Sequence, residues 1–146
     1  MNRRTLLQAI PVAAFLPASL SAASGQDTAN SAPASAAVYE LRVYHAAPGK
    51  LADLLARFRD HTVKLFDRHG MKSVAYWTPT DEPEKSNTLI YILRHPSREA
   101  AAANWKSFQD DPEWKSVKDK SEANGKLTEK IDSTYLALTD FSPPLR

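Results

Sequence analysis

Tyr39-Glu40-Leu41-Arg42-Val43-Tyr44 alternates in character, and that alternation decides the fold. Successive side chains of a strand point to opposite faces of a sheet, so Tyr39, Leu41 and Val43 share one face and Glu40, Arg42 and Tyr44 share the other. One face is apolar; the other carries an acid, a base and a phenol. The strand ends in aromatic residues on both faces and is followed at once by Pro48-Gly49-Lys50 and a strongly apolar helix. Those features point to a sheet covered on both sides.

Downstream, Leu51, Leu54, Leu55, Phe58, Thr62, Leu65, Phe66 and His69 recur at three- and four-residue spacing, one stripe of an amphipathic helix that Gly70 ends as a C-cap. Met71 to Thr78 alternates as a strand, Pro79 to Ser86 is a polar loop, and Asn87 to Arg94 is a strand too continuously apolar to leave one face wet. Ser97 is placed as the N-cap of a second helix packing through Ala100 to Ala103, Trp105 and Phe108. Asp110-Asp111-Pro112 breaks that helix, and Pro112 opens a further one carrying Trp114 and Val117, which fades near Asn124-Gly125. Lys130 to Phe141 reads as the last strand. The order β-α-β-β-α-β predicts an α+β, ferredoxin-like fold: a four-stranded antiparallel sheet with its helices on one face. The other face is expected to hold either Arg42 and Tyr44 with Trp77, Ile90, Ile92 and Tyr135, or the opposite set. Either set is too apolar to stay in water, and a second sheet from a homodimer would cover it.

The N-terminus reads as an export signal over residues 1–23: Met1-Asn2-Arg3-Arg4 is the positive region, Thr5 to Leu20 the apolar one, and Ser21-Ala22-Ala23 a small-residue cleavage site. Arg3-Arg4-Thr5-Leu6-Leu7 also fits a twin-arginine signal. Pro11 and Pro17 interrupt the apolar region, which is too short for a lasting membrane span. Residues 24–37 are a low-complexity linker without large apolar side chains, expected to be disordered, and residues 38–143 are the folded domain. A periplasmic or secreted location follows. The chain has no cysteine, hence no disulfide framework and no thiolate chemistry. Taking Arg3 and Arg4 from its 19 basic residues balances the 17 acidic ones, so the mature charge is neutral and nucleic-acid binding is not supported.

Tyr39-Glu40-Leu41-Arg42 with Tyr44, Pro48-Gly49-Lys50, Gly70, Trp77, Asn87, Ser97-Arg98 and Asp111-Pro112-Glu113-Trp114, in this order and spacing, resemble the NIPSNAP family over Val38 to Phe141. The chain has Leu93-Arg94-His95-Pro96 where that family often carries an aromatic pair before a Ser-x-x-Arg segment. The resemblance implies membership of the dimeric α+β barrels. Related barrel families include cofactor-free monooxygenases, haem-degrading oxygenases and lactone isomerases, which implies a pocket between the sheet and its helices.

Glu40 and Arg42, two residues apart on one face, are spaced for a charge-assisted pair that fixes register or orients a substrate. Tyr44 beside them donates to a ligand oxygen, or packs with its hydroxyl satisfied. His61 and His69 are the proton carriers nearest the apolar stripe, although a histidine just before a glycine cap also suits the negative helix end. His45 and His95 are placed just past strand ends, where loops shape a pocket mouth. No histidine pair has the spacing of a local metal site, so no metal and no cofactor is predicted, haem held by a single histidine being a third reading. Trp77, Trp105 and Tyr91 either wall an apolar pocket or pack as core and dimer seam, and Trp114 docks the short helix. The absence of a Gly-x-Ser-x-Gly elbow and of a glycine-rich phosphate loop argues against serine hydrolysis and nucleotide use.

The leading expectation is an exported homodimer that binds a small, largely apolar molecule. Any catalysis would be proton transfer, isomerisation or cofactor-free oxygenation. His61 or His69 would then move the proton, Tyr44 or Arg42 would polarise a ligand oxygen, and Glu40, Trp77, Tyr91 and Trp105 would surround the ligand. The alternative is a non-catalytic dimeric module with a solid interior and a protein partner.

Overall fold

The computed structural model describes residues 37–143 and Leu145; the expected export signal and all but the last residue of the expected linker lie outside them. Strand β1 spans Val38–Ala46, β2 Lys72–Trp77, β3 Thr88–His95 and β4 Thr128–Leu136. Helices α1 (Leu51–Arg57) and α2 (Val63–Arg68) are joined by a π-helical turn, Phe58–Thr62, and α3 (Arg98–Asp110) is followed by α4 (Pro112–Ser121). The sheet order is β2-β3-β1-β4 with every pair antiparallel, which is the ferredoxin-like arrangement expected.

The wide turn explains how one stripe stays buried along α1 and α2. Leu54, Phe58, Thr62 and Phe66 recur every fourth residue, a spacing that drifts around an ordinary α-helix. Val63 donates its amide hydrogen to Phe58 O, five residues back, and Thr62 Oγ1 donates to Arg57 O at 3.2 Å. This local widening realigns the stripe, and all four side chains are buried. The stripe ends in a Schellman motif, in which Met71 N donates to Phe66 O and Gly70 N to Asp67 O, with Gly70 at φ +76°. Ser97 caps α3 by accepting from Ala100 N at 3.1 Å, and Asp111 caps α4 by accepting from Glu113 N at 2.7 Å.

Residues opposite one another across an antiparallel ladder share a face. Glu40, Arg42 and Tyr44 therefore stand with Leu89, Tyr91 and Leu93 of β3 and with Ile131, Ser133 and Tyr135 of β4. The helices lie on this face: Phe66 of α2 packs against Tyr91, and against Trp105 and Phe108 of α3, at ring-centroid distances of 5.8, 5.4 and 5.0 Å. The face of β1 that carries charge is the one under the helices. Tyr39, Leu41 and Val43 share the other side with Ile90, Ile92, Ala75 and Trp77. The grouping drawn from the sequence, which joined Trp77, Ile90 and Ile92 to Arg42 and Tyr44, is corrected by the register.

The last strand also differs from expectation, starting at Thr128 and ending at Leu136 instead of running from Lys130 to Phe141. Among the described residues β4 pairs with β1 alone, and its last paired residue, Leu136, stands opposite Tyr39, one residue from the start of β1. Its charged stretch Glu129-Lys130 and Asp132 suits an exposed edge strand.

Candidate functional site

The centre of the helix-covered face is a carboxylate with four donors. Glu40 is 1% exposed. Its Oε1 accepts from Arg42 Nη1 at 2.9 Å and Ser133 Oγ at 2.7 Å, and its Oε2 from Trp105 Nε1 at 2.6 Å and His95 Nε2 at 3.0 Å. Burial alone pushes the carboxyl pKa up, but the bonds from His95, Trp105, Ser133 and Arg42 outweigh it and leave the group at about 2. An ionised carboxylate opposite Nε2 places a hydrogen on that nitrogen, so Nε2 donates. His95 is fully buried, and its Nδ1 has no hydrogen-bond partner. The expectation that His45 and His95 lie in loops is corrected: both are strand residues. His45 meets Asp132 at 3.0 Å and His95 is part of the Glu40 hub.

The hub holds two side chains at the edge of a groove. The Arg42 guanidinium lies 4.4 Å from the Trp105 ring centroid and 5.6 Å from that of Tyr44, and Arg42 Nη2 donates to Tyr44 Oη at 3.4 Å. Between this part of the sheet and α3 and α4 opens a groove of about 600 Å³, with Arg42, Tyr44, Trp105, Trp114 and Ile131 among its walls. A smaller hollow of about 240 Å³ shares Tyr44, Trp114, Lys118 and Ile131 with it and reaches Arg57 and Lys126. Arg57 ties α1 to the end of α4 through Glu122 at 3.0 Å and Ser121 at 3.3 Å, and lies 5.2 Å from the Trp114 ring centroid. Trp114 in turn packs on Phe108 at 4.5 Å, docking α4 as expected. This arrangement offers a flat apolar body aromatic walls and offers an oxygen atom a pre-oriented guanidinium and a phenol.

The residues singled out in the sequence fall into three groups. Arg42, Tyr44 and Trp105 come together at the groove, with Glu40 directly behind them. Tyr91 lies below, fully buried in the aromatic core, with its hydroxyl unpartnered and its pKa pushed up by burial. Trp77, His61 and His69 lie elsewhere. Trp77 is on the opposite sheet face and 47% exposed. His61 is exposed and lines a separate, more polar hollow of about 470 Å³ with Asp53, Asp60 and Lys120. His69 does not bind the last helix carbonyls; its Nδ1 meets Ser107 Oγ at 2.8 Å and its Nε2 meets Asp111 Oδ2 at 2.7 Å. The His69 hydrogen bond, first of all, holds the Asp111 carboxyl below its ordinary range.

Ser107, His69 and Asp111 thus line up as hydroxyl, imidazole and carboxylate, but neither the groove nor either hollow opens on Ser107. They act as a bracket holding the end of α2 to the α3–α4 junction. His69→Ala is expected to lower the midpoint of unfolding in urea titrations while leaving the groove intact. An unchanged denaturation midpoint would show that the bracket contributes nothing.

Sequence reasoning missed His95 and Ser133 as partners of Glu40, which lie 55 and 93 residues from it. Neither belongs to a local motif. Only the register of β1 with β3 and β4 brings them together, and a single sequence carries no direct signal for it.

The βαββαβ order, the β2-β3-β1-β4 sheet and the groove beneath α3 and α4 define a ferredoxin-like α+β protein. The NIPSNAP family profile matches residues 39–143, and the chain belongs to the NIPSNAP family. No curated protein matches the chain. Among solved structures, a NIPSNAP-like domain protein from Burkholderia xenovorans is 19% identical, covers 75% of this chain and 91% of its own, and superposes with a TM-score of 0.64. A NIPSNAP-family protein of unknown function from Agrobacterium tumefaciens is 22% identical, with coverages of 76% and 95% and a TM-score of 0.63. More distantly, a monooxygenase from Streptomyces coelicolor, solved with the ligand nanaomycin D, is 14% identical, with coverages of 77% and 96% and a TM-score of 0.51. At these identities the likeness is one of fold.

Proposed function

We propose that the mature protein is an exported homodimer that binds a small, flat, largely apolar molecule in the groove between its sheet and α3–α4. The observation that carries this reading is the stacked Arg42 guanidinium, held by Glu40 and flanked by Tyr44 and Trp105 on the groove wall. A cation so fixed, at the edge of an aromatic-lined hollow, is placed to receive a ligand oxygen. Neither His61 nor His69 lines the groove, so the reading rests on binding and polarisation and not on a histidine base. Chemistry on such a ligand would be cofactor-free oxygenation or isomerisation, with charge on its oxygen stabilised by Arg42 and Tyr44. The fold shared with a monooxygenase supports this by analogy.

Ile131 lines both hollows and is 44% exposed, so a larger side chain there fills the groove without entering the core. Ile131→Trp is expected to weaken binding of naphthalene-2-carboxylate, used as a flat probe, by about tenfold or more in calorimetric titrations, because a blocked pocket loses most of its contact area. Equal affinity in the variant and the parent would place the ligand elsewhere.

A further inference from the structure

The rim of the groove carries more positive than negative charge. Lys115 and Lys118 stand along it and Lys126 along the hollow that adjoins it, and none of the three forms a salt bridge among the described residues. Two acids share the lining, but Glu122 is taken by Arg57 at 3.0 Å, which leaves Asp119, with Asp110 outside the lining acting on Lys115, against three ammonium groups. Arg42 is neutralised in turn by Glu40 at 2.9 Å. On a mature chain of balanced charge, this is a local excess of positive charge in a lining that also holds Trp105, Trp114 and Ile131.

We infer that the ligand is an acid: a flat or elongated apolar body with a carboxylate, the body lying on the aromatic floor and the carboxylate among Lys115, Lys118 and Lys126. The inference rests on the groove reading above and adds the charge of the ligand to it. Three cations outside any salt bridge give up no ion pair when an anion arrives, and their field draws it toward the mouth. A neutral ligand would leave them as they are and gain nothing from them.

The test is a matched pair of probes, naphthalene-2-carboxylate and naphthalene-2-carboxamide, titrated calorimetrically into the mature protein at low ionic strength. A second set of titrations uses a variant carrying Lys115→Gln, Lys118→Gln and Lys126→Gln, whose melting temperature monitors the fold. The carboxylate is expected to bind about tenfold more tightly than the amide, the preference shrinking as salt screens the rim and vanishing in the triple variant. Equal affinities for the two probes overturn the inference and leave the groove reading standing. A carboxylate preference that survives the triple substitution also overturns it, by placing the anion away from the rim. Binding of neither probe overturns the groove reading and this inference together.

Discussion

Glu40→Ala is expected to cost about 3–5 kcal/mol of folding stability at neutral pH, the range for removing one partner from a buried charged network. The change takes the acceptor from four donors, Trp105 Nε1, Arg42 Nη1, Ser133 Oγ and His95 Nε2, and His95 is fully buried with no other partner within reach among the described residues. The same carboxylate makes stability depend on pH. Its pKa is lowered in the folded protein from 4.5 to about 2, so its contribution is fully present above the unfolded value and is lost as pH falls from 4.5 toward 2. That shift corresponds to about 3 kcal/mol, which agrees with the mutational range. Urea unfolding of parent and variant at pH 7 and at pH 3 checks both statements. The gap between the two proteins should be wide at neutral pH and narrow in acid; a gap that does not change with pH would show that the charge of Glu40 is not what stabilises the hub.

The second large effect is expected on the far side of the sheet. Ile92 stands opposite Leu41 and Ala75 at the middle of the apolar face that the helices do not cover. Ile92→Glu leaves the monomer's packed interior untouched, because the side chain is only half-buried there. In a dimer joined through this face the same carboxylate would be buried without a partner. Its dimer dissociation constant should rise on the order of 100-fold or more, moving the population to monomer in light-scattering chromatography with the helical signal retained. A variant that stays dimeric would place the interface elsewhere, and a monomeric parent would remove the two-sheet arrangement altogether.

Much of the fold was legible because its signals are local. The stripe from Leu54 to Phe66, Gly70 as a left-handed cap, Ser97 as an N-cap, the helix break at Asp110-Asp111 and Pro112 at a helix start each depend on a few neighbouring residues, and each stands where the spacing puts it. The Glu40–Arg42 pair was legible for the same reason, being two residues apart on one strand. What was not legible depends on pairing between strands. Charge on β1 ordinarily marks a wet face, but here the acid finds every donor it needs from α3, β3, β4 and its own strand, so the charged face is the buried one. The far end of β4 was misread because Ala137 and Leu138 continue an apolar pattern past the last pair, Leu136 with Tyr39, close to the start of the partner strand. Trp77 and Trp105 look equivalent as aromatic residues, and only the β2–β3 register assigns them to opposite sides.

That separation supplies the most direct test of the central claim, that a ligand enters between the sheet and α3–α4. The protein has three tryptophans, hence three indole N–H signals in a two-dimensional NMR spectrum of isotope-labelled mature protein. Trp105 and Trp114 line the groove, whereas Trp77 lies across the sheet and serves as an internal control. Titration with naphthalene-2-carboxylate is expected to shift the Trp105 and Trp114 signals and leave Trp77 in place. Movement of Trp77 alone, or of none of the three, would contradict the account.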